Sequence, residues 1–392
     1  MITIQQVDNA LRNVYQEAVT NEINTRTNPF LTMISDRAKN INRDEARTIV
    51  RYGHQDSVRA GIEGGELPSA NGDSAEIIVP LKNLYGTFQI SDKAVRALLS
   101  SSGELSDTID GEMRNLVATA QRALNNALYA NGQRLLGFSN SVVVATRRIN
   151  MHPRFARNFS TGQVFQVQCA NNVVLAELTV ETVGQDFITY ATGVTLTPGN
   201  HDRLYLYEVE NGIELSGIDA IFRQDSLYNL DRNAHRDILP FTHVASNASL
   251  QLNTFELGDF LHGYEDHCQS LPADIFLTNP TVKRGMFNEL AMTRLNFDPV
   301  ELRGGFSGFR YNGLPVYSDV ACKGGTWYAL NSDSWNMHQL ADWTWFNGDE
   351  GGVLRQIDGR AGYTATLAKY ADLVCEKPFL QGKATGYSAN RF

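Results

Sequence analysis

The sequence is short of positive charge. It carries 34 Lys and Arg against 43 Asp and Glu, a formal net charge of −9, and so lacks the clustered cationic charge that drives DNA or RNA binding by counterion release. It has no run approaching the roughly 20 apolar residues of a membrane span. Its first residues, MITIQQVDNALRNVYQEAV, show no cationic start followed by an apolar stretch, so no secretory signal is expected. Cysteine is scarce. Cys169, Cys268, Cys322 and Cys375 lie far apart with no C-x-x-C, which reads as four reduced thiols in a cytosolic chain. No nucleophile elbow, Walker loop or dinucleotide fingerprint is present. What remains is a globular composition, 42% apolar, 10% aromatic and 20% charged over 392 residues. That is enough for two or three folding units at roughly 150 residues each.

Hydrophobic spacing organises the chain. Ile4, Val7, Leu11, Val14 and Ala18 recur at helical spacing, and the helix they predict ends by Asn28-Pro29, because proline disfavours the α conformation in the residue before it. The strand-like stretches RTIVRY, AEIIVPL and LYGTFQIS flank a long run rich in Gly, Ser, Asn and Asp. That run is far longer than a hairpin turn of about two to five residues. With only Ile62 and Leu67 as apolar tip residues it cannot bury itself, so it reads as an extended arm. A long helix is expected next, capped by Ser106 or Asp107 and carrying Ile109, Met113, Leu116, Val117, Ala120, Leu124 and Leu128 on one face. Asn131-Gly132 offers it a left-handed stop. From 138 to 211 short strands alternate with turn clusters, the pattern of a small antiparallel barrel or sandwich. Beyond lies an α/β region. Leu257, Phe260, Leu261, Tyr264 and Cys268 share one helix face, ADIFLT is a buried strand, and Asn279-Pro280 caps the helix after it. The stretch RGGFSGFRYNG ends in Asn312-Gly313, a favoured two-residue hairpin turn. It lacks the strand-before, helix-after setting of a phosphate loop.

Three clusters could carry chemistry. His262 and His267 share a helix but point about 140° apart, so they do not converge on a metal. Asp342, Asp349 and Glu350 stand near Trp343 and Trp345, carboxylates and aromatic platforms of the kind a glycosidase uses; a strand ending at an Asn347-Gly348 turn is the simpler reading. Arg147, Arg148, Arg154 and Arg157 form the clearest basic cluster, which suits a salt-bridged subunit contact or a solvated loop better than a nucleic-acid site.

Taken in order, these stretches resemble a tailed-bacteriophage major capsid protein. The likeness rests on NPF, EGGELP, LYGTFQISDKAV, LNNALYANG, ADIFLTNPTVKRGMFNEL, YNGLPVYSD and WYALNSDSW. It covers nearly the whole chain except about 138–211, and encapsulins share the fold. The resemblance implies an α+β capsid fold. Its parts would be an N-terminal arm (1–46), an extended β-hairpin loop (47–90), a peripheral domain with a spine helix at 107–136 (91–137), an inserted β domain (138–211), an axial domain (212–335) and a return to the peripheral domain (336–392).

It also implies a structural role, with no catalysis, metal or cofactor. The chain would assemble through hexamers and pentamers into an icosahedral shell around double-stranded phage DNA. Shells would form in the host cytoplasm and become the virion capsid, away from any membrane. Partners would be other copies of the chain, a portal and decoration proteins. A separate scaffolding protein is also expected, since only one short helix precedes Asn28-Pro29. Subunit contacts would come from Arg59, Gly61, Ile62, Glu63, Gly64, Gly65, Glu66, Leu67 and Pro68 at the loop tip, and from Asn28, Pro29 and Phe30 in the N-terminal arm. Arg147, Arg148, Arg154 and Arg157 would be partners for Glu63 and Glu66. Residues 53–81 contain no lysine, so no covalent crosslink through the loop is expected. The rival readings are an encapsulin-like nanocompartment shell and a carbohydrate-active enzyme using Asp342, Asp349 and Glu350.

Overall fold

A computed structural model describes residues 22–24, 28–52, 73–92, 102–193, 196, 204–211, 214–223, 227–245, 254–292, 299–302, 306–346 and 353–387. The helix expected over 4–18, the loop tip from Arg59 to Pro68, and Asp349 and Glu350 lie outside these residues. Along the chain, helix α1 (Pro29–Ile34) leads through β1 (Lys39–Asn40) to β2 (Glu45–Tyr52), β3 (Asp73–Pro80), β4 (Lys82–Ser91) and helix α2 (Ser102–Leu128). Then come β5 (Gln133–Val143), β6 (Arg148–Met151), the short α3 (Pro153–Ala156), β7 (Val164–Gln168), β8 (Val174–Val183), β9 (Phe187–Tyr190) and β10 (Tyr205–Asn211). The remainder holds β11 (Phe241–Val244), α4 (Thr254–Cys268), β12 (Ile275–Thr278), α5 (Pro280–Met292), β13 (Pro299–Leu302), β14 (Phe306–Tyr311) and β15 (Leu314–Ser318). It closes with β16 (Trp327–Leu330), β17 (Trp335–Trp345), β18 (Arg355–Gln356), β19 (Gly362–Cys375) and β20 (Gly382–Thr385).

Two open sheets form the body. One has the order β1-β17-β19-β18, with β4 also paired to β19. The other runs β11-β20-β16-β12-β15-β14-β13. The middle of the second sheet is apolar on both faces, since all four residues of β12 and of β16 are buried, as expected of strands covered on both sides. Helix α4 covers part of it: Leu257, Phe260, Leu261 and Tyr264 are buried in one cluster with Phe276 and Trp327. Asn279 caps α5 as the sequence predicts, its Oδ1 accepting from the Thr281 N–H at 3.0 Å. The β14–β15 hairpin turns at Asn312 (φ 49°) and Gly313 (φ 80°), both in the left-handed region that this turn requires.

Helix α2 spans 27 residues, about 40 Å at 1.5 Å per residue. Met113, Leu116, Val117, Leu124 and Leu128 are buried along its predicted face. Its limits differ from the expected 107–136. It begins at Ser102, so Ser106 and Asp107 fall within the helix and not at its start. It ends at Leu128, and 133–136 already belong to β5. The stop is chemical: Gly132 takes φ 89° just after the last turn. Gly217 closes this end from outside. A Cβ there would stand 2.3, 2.5 and 2.6 Å from the carbonyl oxygens of Ala127, Ala130 and Leu128, so only glycine permits the approach.

Six strands close into a barrel in the order β10-β5-β6-β9-β8-β7, antiparallel throughout. Closure leaves no free edge. Its core, including Ile149, Phe165, Val167, Leu178, Ile188 and Leu206, forms a cluster separate from the other two. The first strand starts at Gln133, five residues before the expected 138 boundary.

The extended loop was expected to run from 47 to 90. Instead β2 pairs only with β3, from Glu45↔Pro80 to Tyr52↔Asp73, while β4 pairs with β19 over ten positions. Residues 82–90 are therefore part of the main sheet. A strand this regular finds a lower free energy by completing a ladder than by standing in an arm.

Candidate functional site

The root of the arm is held by the chain itself. Ala46, Val50, Ile77 and Val79 are buried in the main cluster with Met113 and Leu116 of α2. On the ribbon's other face Ile49 is 70% exposed. Asn229 latches the ribbon, its Oδ1 accepting from the Ile78 N–H at 2.8 Å and its Nδ2 donating to the Glu76 carbonyl at 3.1 Å. Tyr52, the last residue of β2, sits 2.7 Å by its Oη from His235 Nδ1. The ribbon ends at the Tyr52–Asp73 pair, and the contact residues proposed for the tip lie between those two points in sequence. Beside it a groove of about 690 Å³ runs between β4 and α2, lined by Asn83, Tyr85, Thr87 and Gln89 on one wall and Glu112, Asn115 and Thr119 on the other. Among the described residues β4 pairs only with β19, so its outer edge borders this groove.

The other sequence-predicted contacts fall differently. Asn28, Pro29 and Phe30 are buried within the chain's own core. Asn28 caps α1 by accepting from the N–H groups of Phe30 (2.7 Å) and Leu31 (3.3 Å). Its Nδ2 donates to Asn125 Oδ1 at 2.7 Å and to Asp319 Oδ2 at 3.1 Å. Phe30 packs edge-on against Trp335, ring centres 5.6 Å apart. An apolar aromatic after a capped proline turn gains more by entering a core than by waiting for a neighbour, so these three residues anchor the chain internally.

The basic cluster is also engaged at home. Arg147 lies 3.0 Å from Glu181 and donates to the Tyr190 carbonyl at 3.1 Å. Arg148 donates to Asn150 Oδ1 at 2.7 Å and stacks 3.7 Å above the Phe187 ring. Both contacts are made among the barrel's own strands, and Arg147 and Arg148 keep side chains 35% and 39% exposed. Arg157 is exposed, and the Arg154 side chain lies outside the described residues.

Of the three carboxylates in the glycosidase reading only Asp342 is among the described residues. Its Oδ1 is 2.7 Å from Lys369 Nζ and its Oδ2 accepts from Asn24 at 3.0 Å. Trp343 and Trp345 are buried in the core, Trp345 edge-on to Phe88. His262 is exposed, and His267 contacts the Leu239 carbonyl at 3.1 Å. No group of three metal-ligating side chains converges among the described residues.

One polar centre was missed by the sequence reading. Asp219 is wholly buried and sits 2.6 Å from Lys323 Nζ and 2.8 Å from Lys383 Nζ. Tyr328 Oη donates to Asp219 Oδ1 at 2.6 Å. Both lysines also reach into the barrel. Lys323 donates to Asn172 Oδ1 at 2.5 Å, and Lys383 to the Ala170 carbonyl at 2.9 Å. Tyr205 of β10 accepts from the Gly324 N–H at 2.6 Å. The cluster therefore pins the barrel to the seven-stranded sheet. Burial alone would raise the Asp219 carboxyl; the two ammonium groups outweigh it and hold the group below the usual carboxylate range. Burial pushes Lys383 down to about 8, with Asp219 opposing and Lys323 adding to the shift. Burial would lower Lys323 too, but Asp219 beside it raises it above its ordinary value. The sequence signal was a lysine inside the short apolar strand GKAT, where a charge persists only if paired.

No known family profile matches the chain, and no curated protein matches it. Solved structures do. A capsid asymmetric unit of cyanophage A-1(L) aligns with a TM-score of 0.55 at 12% identity, covering 93% of each chain. A procapsid of satellite phage P4, including its size determination protein, aligns at 0.48 and 9% identity over 96% of this chain and 99% of the other. The holo-SrpI encapsulin complex from Synechococcus elongatus PCC 7942 aligns at 0.45 and 10% identity over 91% and 86%. The first alignment shows that the chain has the tailed-phage capsid fold; the other two fall below that level.

Proposed function

We propose that this chain is the major capsid protein of a tailed bacteriophage, assembling through hexamers and pentamers into an icosahedral shell around double-stranded DNA. The observation that carries the reading is the end-to-end likeness to a phage capsid subunit, 93% of both chains at a TM-score of 0.55. Features of the chain itself support it. The β2–β3 ribbon ends at Tyr52 and Asp73, and a groove of mixed polar and apolar lining lies between β4 and α2, where an extended segment of a neighbour could bind. Such a contact is head-to-tail, the kind that closes into rings. The net charge of −9 suits a container whose wall does not hold its own cargo of DNA. On this reading α2 is the spine helix, the barrel the inserted domain, and the seven-stranded sheet the centre of the axial domain. The expected partners are a scaffolding protein, a portal and decoration proteins, with assembly in the host cytoplasm. The role is structural: the one carboxylate of the rival glycosidase reading that is described, Asp342, is held by Lys369.

The test is the content of particles purified from producing cells. Nuclease-protected double-stranded DNA is expected. Particles filled with protein cargo would assign the chain to a nanocompartment shell, and absence of particles with hydrolysis of a polysaccharide would overturn the structural role.

A further inference from the structure

The barrel has a core of its own, separate from the two clusters of the body. It joins the body at Gln133 and Asn211, which pair with each other across β5 and β10. The two chain crossings thus lie side by side, and the seating of the barrel depends on the contacts next to them. Those contacts are polar. Lys383 Nζ donates to the Ala170 carbonyl at 2.9 Å, Lys323 Nζ to Asn172 Oδ1 at 2.5 Å, and Asn172 Nδ2 to the Asp219 carbonyl at 3.4 Å. Behind them the two lysines share one carboxylate: Asp219 lies 2.6 Å from Lys323 Nζ and 2.8 Å from Lys383 Nζ. The other titratable groups facing this centre are Cys322, Tyr207 and Tyr328. Burial holds their protons on, so none adds negative charge. With both lysines charged, the seat therefore holds two cations against one anion, and none of the three side chains is more than 3% exposed. A buried charge without a counterion of its own is costly. The rings of Phe222 and Tyr328, 5.7 and 5.6 Å from Lys383 Nζ, offset only part of that cost.

We propose that this seat is a proton-operated latch, which holds the barrel more firmly once Lys383 gives up its proton. A neutral Lys383 keeps two N–H groups, one for Ala170 and one for Asp219, so both of its hydrogen bonds survive. What disappears is the surplus charge, and Lys323 then pairs with Asp219 one to one. Lys323 keeps its proton because Asp219, against the effect of burial, raises it above its ordinary value. Lys383 is the group that yields. Burial, with Lys323 adding to it, overcomes Asp219 and brings Lys383 down to about 8, against about 10.4 for a lysine in water. Between those two values an open seat, with Lys383 solvated, binds a proton that the closed seat has released. Rising pH therefore favours closure, by about tenfold per unit from about pH 8 upward, and has no effect through this group below it. The latch needs no ligand and stands independently of the shell reading.

The test is hydrogen exchange of the full-length chain from about pH 6.5 to about pH 10, with each segment's rate divided by its unfolded rate at the same pH. Protection of 168–174 on the barrel side and of 322–325 on the sheet side should stay level to about pH 8, then rise by about tenfold per unit. Lys383→Met has no proton to lose, and Lys383→Arg keeps its charge at every pH. Both should abolish the rise, and they do so from opposite charge states, so either one that folds suffices. A wild type whose protection is level across the whole range overturns the proposal. So does a rise that survives in a Lys383 variant, because it would then belong to another group.

Discussion

Asp372 lies toward the C-terminal end of β19, opposite His338 of β17, and is wholly buried. Its Oδ1 accepts from the N–H groups of Ser216 (2.7 Å) and Leu373 (2.8 Å). Oδ2 has no hydrogen-bond partner among the described residues. Burial raises the group to about 7, with the Ser216 and Leu373 bonds and the charge of Lys82 opposing. An unfolded aspartate titrates near 3.9, so between about pH 4 and pH 7 the folded chain holds a proton that the unfolded chain has lost. Stability from this group therefore falls as pH rises through that window, by about 1.4 kcal/mol per pKa unit and a few kcal/mol in all. Asp372→Asn keeps an acceptor for both N–H groups and cannot ionise. It should be more stable than the parent at pH 8 and should lose most of that decline, as read by urea unfolding at a series of pH values. An unchanged slope would place the titrating proton elsewhere. Phe30 gives a second prediction at this scale. Buried and edge-on to Trp335, it should cost about 3–5 kcal/mol when cut to alanine, measured as the fall in unfolding free energy of the unassembled subunit. A subunit contact exposed before assembly would show almost no loss.

Helix α2 and the glycine at its end set the element scale. Leu116→Ala and Leu124→Ala should each cost about 2–5 kcal/mol, because both side chains are buried against the main sheet and ribbon. Gly217→Ala should cost about 1–3 kcal/mol or more, since its new methyl would collide with the carbonyl oxygens of Ala127, Leu128 and Ala130 at the helix end; thermal unfolding of the subunit checks all three. The buried face of α2 was legible from spacing alone, and so were the Asn312-Gly313 hairpin and the Asn279 cap, because each is fixed by residues close in sequence. The place of β4 was not. Its partner lies far along the chain, as the contact between Thr87 and Thr366 across 279 positions shows, and a period of two says only that a strand exists. Burial of Asn28-Pro29-Phe30 was hidden for the same reason: its partners are Asn125, Asp319 and Trp335. The Asp219–Lys323–Lys383 centre was unreadable because isolated lysines are normally surface residues, and only the fold brings their one carboxylate between them.

At the scale of the molecule, the described body is self-sufficient, and the sequence between Tyr52 and Asp73 has a different character. Two sheets, the long helix and the barrel bury their own cores, whereas the chain between Tyr52 and Asp73 is polar and short of apolar residues. Deleting 62–71 and closing the gap with a short Gly-Asn turn should therefore leave the subunit's melting temperature almost unchanged, because among the described residues the ribbon's buried positions end at Val50 and begin again at Ala75. Particle yield should collapse, since the loss repeats at every subunit. A deletion that unfolds the subunit would mean the segment completes its own core. The central claim is that this chain builds a closed shell, and the most direct measurement is sedimentation of the purified full-length chain across protein concentration, with negative-stain images of each peak. The account predicts ring-shaped hexamers and pentamers and, above a threshold concentration, megadalton closed particles. A chain that stays monomeric at every concentration, with no rings in any image, would contradict it.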